Sequence, residues 1–212
     1  MRAPASSANL GPGFDCVAVA LALWNELEVE EKPGELPEES HLGVRAFRLF
    51  APTKGRSFIF TDRIPPARGL GSSAATIALG LVAGARAAGV EPDHEELLAV
   101  GLQLEPHADN LAAALAGGIC LTWSSKGRQR LARLPGVLPL VPIALVPEAR
   151  VETAAARAIL PTEVPHGDAA FTAARAALLG AGLASGDPEL LAQSFVDRLH
   201  EPYRAPHAPL LE

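Results

Sequence analysis

Between a short β-type run, SFIF at 57–60, and an alanine-rich run, IALGLVAGARAAG at 77–89, the chain reads PPARGLGSSAAT. This junction at 65–76 restricts the possible folds more than any other stretch. Glycines at 69 and 71 let the backbone take turns closed to other residues and let a ligand approach it closely. The alanine-rich run predicts a long helix, capped by Ser72 or Ser73 and stopping near Gly89. Such a helix turns its unpaired amides and the positive end of its dipole toward the loop, which suits an anion. The plainer reading of the same residues is that the two serines only cap the helix.

Two familiar phosphate loops do not fit. Gly69-Leu-Gly71-Ser-Ser-Ala74 matches G-x-G-x-x-A, and Glu91 stands at a distance where a dinucleotide fold keeps its ribose-binding acid. In that fold, however, the buried strand runs straight into the glycines. Here the polar, proline-broken TDRIPPAR intervenes, and Glu91 lies just past a helix stop. No G-x-x-x-x-G-K-[ST] occurs anywhere. A polyphosphate cradle of another kind remains, with Ser72 and Ser73 supplying hydroxyls for a phosphate or a magnesium ion.

The rest of the chain narrows the choice. A formal net charge of −6 argues against nucleic-acid or membrane-surface partners, which need a basic patch. No apolar window reaches the ~20 residues of a membrane span and the N-terminus has no apolar leader core, so a cytoplasmic protein is expected. Cys16 and Cys120 each sit in an apolar run and are expected to be buried free thiols.

Strand signals appear in the later half of CVAVALALWNELEVE, in SFIF, ICLTW, ARLPG and LPLVPIALV, the last weakened by Pro142. Helical spacing appears in SHLGVRAFRLF, after the glycine loop, and in HEELLAVGLQLE, which an Asp93–Glu96 capping box is expected to start and Glu105 to end. HADN reads as a turn. VETAAARAIL, GDAAFTAARAALLGAGLASG and DPELLAQSFVDRLH read as helices. Without regular βαβ alternation, the expectation is an α+β protein with domains at 1–142 and 143–212.

Several motifs together carry a resemblance. PPARGLGSSAA resembles the second motif of the small-molecule kinases named after galactokinase, homoserine kinase, mevalonate kinase and phosphomevalonate kinase (GHMP). PASSANLGPGFD at 4–15 resembles the first motif of the homoserine kinases, and EPHADNLAAALAGG at 105–118 is similar to their E-G-H-x-D-N stretch. ETAAARAILP at 152–161 and DRLHEPYR at 197–204 are similar to their later substrate-binding segments. The order of the five is that of the family and covers nearly the whole chain. The resemblance implies a ribosomal-protein-S5-domain-2-like N-terminal domain that binds ATP and a ferredoxin-like C-terminal domain that binds substrate. It also implies ATP-dependent phosphorylation of L-homoserine on the path to threonine, and a homodimer.

By the same resemblance, Pro65, Pro66, Ala67, Arg68, Gly69, Leu70, Gly71, Ser72, Ser73, Ala74 and Ala75 wrap the ATP phosphates, and Ser72 with Glu105 holds Mg²⁺. An amino-acid alcohol needs a guanidinium for its carboxylate, an acid for its ammonium and a neutral polar group for its hydroxyl. Arg157 and Arg204 would take the carboxylate, with Thr153 one helical turn before Arg157. Asp15 and Asp109 would take the ammonium. Asn9, His107 and Asn110 would orient the hydroxyl. An amide at 110 cannot act as a base, whereas mevalonate-kinase-like relatives have an aspartate there, so transfer without a strong protein base is expected.

Three departures stand out. Pro106 replaces a glycine, His41 stands where an asparagine is expected, and the family's third, glycine-rich motif is not found. The C-terminal domain is therefore expected to be incomplete, the 212 residues being part of a longer, normal enzyme. As an entire polypeptide they would be expected to turn over weakly and to expose a sheet edge. Another kinase of the superfamily, or a non-catalytic nucleotide- and amino-acid-binding relative, are the alternatives.

Overall fold

A computed structural model of the chain describes residues 1–34, 38, 40–135, 141–146 and 153–207. Five antiparallel strands form one sheet: β1 (Arg2–Ala8), β2 (Val17–Glu30), β3 (Ser57–Thr61), β4 (Ile119–Ser125) and β5 (Arg128–Arg133). The order is β1-β2-β4-β5, and β3 pairs with the far end of β2. β2 is the spine. It pairs with β1 from Ala18 to Glu26, with β3 over Glu26–Glu30, and with β4 over Val17–Val19.

Helices α1 (Leu42–Arg48), α2 (Ser72–Ala87), α3 (His94–Gly101) and α4 (Ala108–Ala116) belong to the same apolar core as the sheet. Phe47, Ile77, Leu81, Leu98 and Leu111 are fully enclosed there. α2 is buried on nearly every side, and this is why it can be made almost wholly of small apolar residues. At Gly80 a Cβ would stand 2.1 Å from the Gly43 carbonyl oxygen, so α1 and α2 touch backbone to backbone. The remaining helices are α5 (Thr153–Ala158), α6 (His166–Ser185), α7 (Pro188–Ser194) and α8 (Glu201–Arg204). Leu179, Leu183 and Leu191 of α6 and α7 form a second, smaller core with Val17.

The α+β expectation holds, and several local expectations change. β1 was not visible in the sequence, and β2 occupies all of Val17–Glu30 rather than a later half. Neither serine caps α2: Gly71, left-handed at φ 63°, is the cap and makes no side-chain hydrogen bond. α3 has its Asp93–Glu96 capping box but stops at Gly101, not Glu105. HADN is not a turn, because Ala108, Asp109 and Asn110 make the first turn of α4, where an acid is favoured by the helix dipole. The strand expected at ARLPG lies a few residues earlier, as β5.

Residues 141–146 of LPLVPIALV form no strand; Pro142 has no amide to give to a ladder. The earlier part of that run, most of the GELPEE loop, Val151 and Glu152 lie outside the described residues. α7 ends at Ser194, so the helix expected over DPELLAQSFVDRLH is broken before Asp197. Cys120 is buried and its thiol is pushed up to about 11 by burial, whereas Cys16 is only half-buried.

Candidate active site

The glycine loop is fastened to the sheet at two points. Fully buried Asn25 on β2 accepts hydrogen bonds from the amides of Arg63 and Ile64 at 2.8 and 2.9 Å, and its own amide donates to Asp62. At the other end, the Ser6 amide of β1 donates to the Leu70 carbonyl at 3.0 Å. Ala67, Gly69 and Gly71 all take positive φ, so the loop coils tightly before entering α2. The first helical bond is made by the Ala75 amide to Gly71, and the cap residue has no side chain to satisfy the amides before it. A buried Nη1 of Arg68 also lacks a partner among the described residues. Open amides, a helix N-terminus and an unpartnered guanidinium fit a polyphosphate.

This loop meets α4 through Ser6. Its hydroxyl, wholly buried, donates to Asn110 Oδ1 at 2.9 Å. A Cβ on Gly71 would lie 2.1 Å from Ser6 Oγ and 3.1 Å from Asn110 Oδ1, so glycine is required here by close approach as well as by φ. Ser73 Oγ lies 3.2 Å from Glu105 Oε2, and the other carboxylate oxygen of Glu105 is 2.8 Å from His107 Nδ1. It is thus Ser73 whose hydroxyl meets Glu105, with Ser72 one residue earlier in the same turn.

Beyond α4 opens a polar cavity of about 330 Å³, lined among others by Asp15, His107, Asp109, Gln129 and Arg157. Asp109 is 2% exposed. Its Oδ1 accepts from the Asn110 amide at 2.7 Å, while Oδ2 is buried with no partner among the described residues. Burial pushes its carboxyl above the usual carboxylate range, against the pull of that amide. Asp15 and Asn9 both hold left-handed backbones, at φ 57° and 59°, and Asn9 Oδ1 accepts from the Asp15 amide at 2.9 Å. Non-glycine residues in that region are strained and concentrate at binding sites.

Arg157 closes over Asp15. Nη1 donates to Oδ2 at 3.1 Å and Nη2 to Oδ1, a two-pronged pair between groups 142 residues apart. Arg204 lies beside it, with Nε donating to the Ala156 carbonyl at 3.2 Å. Burial, then the like charge of Arg157, holds the Arg204 pKa below its ordinary value. Both guanidinium groups lie over Phe14, 5.3 and 5.0 Å from its centroid, and His200 stacks on the same ring at 4.7 Å. His200 is itself buried and bonded to the Gly11 carbonyl at 2.7 Å. Thr153 opens α5 as expected, one turn before Arg157; its side chain is outside the described residues.

Of the residues expected from sequence, Asp15, His107, Asp109 and Arg157 therefore line one cavity, with Arg204 beside Arg157 and Asn110 and Glu105 facing the glycine loop. Sequence reasoning missed Ser6, Asn25 and His200. Only their position inside quoted or β-type segments hinted at them. It also missed that Arg157 is held by Asp15. His41 caps α1 through its Nδ1, 3.2 Å from the Gly43 amide.

Comparisons with known proteins agree with this geometry. Residues 40–118 match the GHMP kinases N terminal domain, so the strand, loop and helix above are those of a GHMP kinase. Across 99% of the chain it is 42% identical to a homoserine kinase of Streptomyces coelicolor, covering 74% of that protein, and 43% identical to one of Clavibacter michiganensis, covering 72%. The crystal structure of homoserine kinase from Cytophaga hutchinsonii superposes with a TM-score of 0.78 over 98% of this chain and 74% of that one, at 28% identity. The chain belongs to the homoserine kinase family. Among the described residues no helix is long and apolar enough to cross a membrane.

Proposed function

We propose that the chain phosphorylates L-homoserine with ATP to give O-phospho-L-homoserine, as a cytoplasmic homodimer in threonine biosynthesis, with the nucleotide held by residues 1–142 and substrate contacts added by 143–212. One juxtaposition carries this reading: Asn110 and Ser6 join the glycine loop to the cavity of Asp15, Asp109 and Arg157. A phosphate donor in the first and an amino acid in the second would have their reacting atoms side by side.

Phosphoryl transfer needs positioning and charge neutralisation more than covalent help from the protein. Residues 65–75 wrap the phosphates, the free backbone amides of the loop and of the first turn of α2 donating to them and Arg68 adding a charge. Asp15 and Asp109 receive the ammonium, Arg157 and Arg204 the carboxylate. Asn9, His107 and Asn110 orient the hydroxyl. Asn110 cannot take its proton at neutral pH, so the proton leaves toward the phosphate or water. Glu105 with Ser72, and with Ser73 already against it, fits Mg²⁺, a hard ion that keeps waters and few carboxylates. When bound, that ion would neutralise charge on the phosphates.

The test is a coupled ADP-release assay with L-homoserine, mevalonate and neutral sugars supplied in parallel. ADP release that depends on homoserine and exceeds that with mevalonate, which has a carboxylate but no ammonium, and with any neutral alcohol is expected. Preference for a neutral alcohol would refute the assignment, because the two arginines would then have nothing to bind. Binding of ATP and homoserine without ADP would favour a non-catalytic relative.

A further inference from the structure

We propose that Asp15 and Arg157 form a filter for zwitterions: the pair must part before a ligand's carboxylate can fork onto Arg157, and only a ligand with both an ammonium and a carboxylate compensates both halves. This rests on the amino-acid reading of the cavity and adds a mechanism of selection to it.

Arg157 and Asp15 hold each other. Both terminal nitrogens of Arg157 are spent on the Asp15 carboxylate, and its Nε is buried without a partner among the described residues. Its end-on donor pair is therefore taken, and the side-on pair that includes Nε is closed off from the cavity by burial. Asp15 in turn has both oxygens on Arg157, so an ammonium meets only their outer lone pairs, on a carboxylate whose charge the guanidinium already neutralises. The two groups that sequence reasoning gives to opposite ends of the substrate neutralise each other instead.

Around them the charges are already balanced for an exchange. Asp109 Oδ2 is buried without a hydrogen-bond partner among the described residues, and the Asp15 and Arg157 side chains remain 44% and 29% exposed, so the pair is reachable from the cavity. Arg204 lies over the same Phe14 ring as Arg157 and feels its like charge. A ligand carboxylate entering between the arginines relieves that repulsion and releases Asp15. The ammonium of the same ligand then compensates Asp15 and Asp109 together. A ligand with only a carboxylate frees Asp15 and leaves it uncompensated beside Asp109. One with only an ammonium strands Arg157 beside Arg204. Charge-assisted contacts of this kind are worth roughly 10- to 100-fold in affinity each. Selectivity thus comes from a penalty on partial ligands as well as from contacts to the right one.

The probes are L-homoserine, 4-hydroxybutanoate, which lacks the ammonium, and 3-aminopropan-1-ol, which lacks the carboxylate, measured by calorimetry. The wild type should bind each single-charge probe roughly 100-fold more weakly than homoserine or worse. The decisive variant is Asp15→Asn, whose amide suits the left-handed backbone at this position. It should weaken homoserine about tenfold or more and tighten 4-hydroxybutanoate about tenfold, because Arg157 is set free. 4-Hydroxybutanoate binding the variant and the wild type alike overturns the filter. Asp15→Gly accepts the same backbone conformation and carries the same expectation should the asparagine variant not fold. ADP release is read in parallel. Its absence, with the binding pattern intact, counts against the kinase assignment alone. Turnover with unchanged 4-hydroxybutanoate binding counts against the filter alone, and failure of homoserine to bind overturns both.

Discussion

Replacing Asp109 by asparagine should make the ligand-free protein more stable and its substrate binding worse. The carboxyl is 2% exposed, has one oxygen without a partner, and is pushed above the usual carboxylate range by burial. A carboxyl whose folded pKa lies above its unfolded value of ~3.9 contributes stability fully present below that value and lost as pH rises through the folded pKa. At neutral pH the charge is therefore a cost. An unsatisfied buried polar group costs about 1–3 kcal/mol; asparagine keeps the acceptor for the Asn110 amide but leaves an amide donor in the same empty place, so the net gain is about 1 kcal/mol. In a chain of 212 residues that corresponds to about 2–4 °C in Tm. Thermal denaturation of Asp109→Asn and wild type should show this gap at pH 7 and its closure toward pH 4, while homoserine affinity falls about 10- to 100-fold. A variant less stable at pH 7, or one that binds homoserine as well as wild type, would refute the assignment of an uncompensated charge aimed at a ligand.

Glu105→Gln should lower Mg²⁺-dependent turnover about 100-fold or more with Tm unchanged within a degree or two, measured by ADP release and thermal denaturation; an unaffected rate removes the metal assignment. Gly71→Ala sets a Cβ 2.1 Å from Ser6 Oγ at a positive φ, so it should cost about 1–3 kcal/mol in urea unfolding and raise KM for ATP, and full retention of both would contradict the tight junction of loop and α4. Asp197 accepts from the amides of Leu199, His200 and Glu201; although burial alone would raise its pKa, these bonds hold it below the usual range. Its contribution is therefore present above the unfolded pKa and lost as pH falls through the folded one. Asp197→Asn should destabilise by about 1–3 kcal/mol at pH 7 and by progressively less as pH falls through the folded pKa in denaturant titrations.

How far the sequence alone could go follows from which interactions are local. The glycine loop, the long helix behind it and the Asp93–Glu96 box are written in neighbouring residues, and they were legible. β1 was not, since Ala-Pro-Ala-Ser-Ser has little strand preference and becomes a strand by pairing with β2. Asp109 and Asn110 look like turn formers until the dipole of α4 is considered. The residues of the cavity were nameable from motifs, but their pairing was not. Ser6 meets Asn110 across 104 residues and Asp15 meets Arg157 across 142, distances over which no local pattern operates. For the same reason the serine expected to cap α2 gave way to Gly71, whose choice is dictated by Ser6 and Asn110 packing against it.

Phosphorus NMR of the protein mixed with ATP, Mg²⁺ and L-homoserine is the most direct measurement. Growth of an O-phospho-L-homoserine signal in step with ADP is the predicted result. ADP accompanied only by inorganic phosphate, at the same rate with or without homoserine, would contradict the claim that the glycine loop presents a phosphate to an amino acid held in the neighbouring cavity.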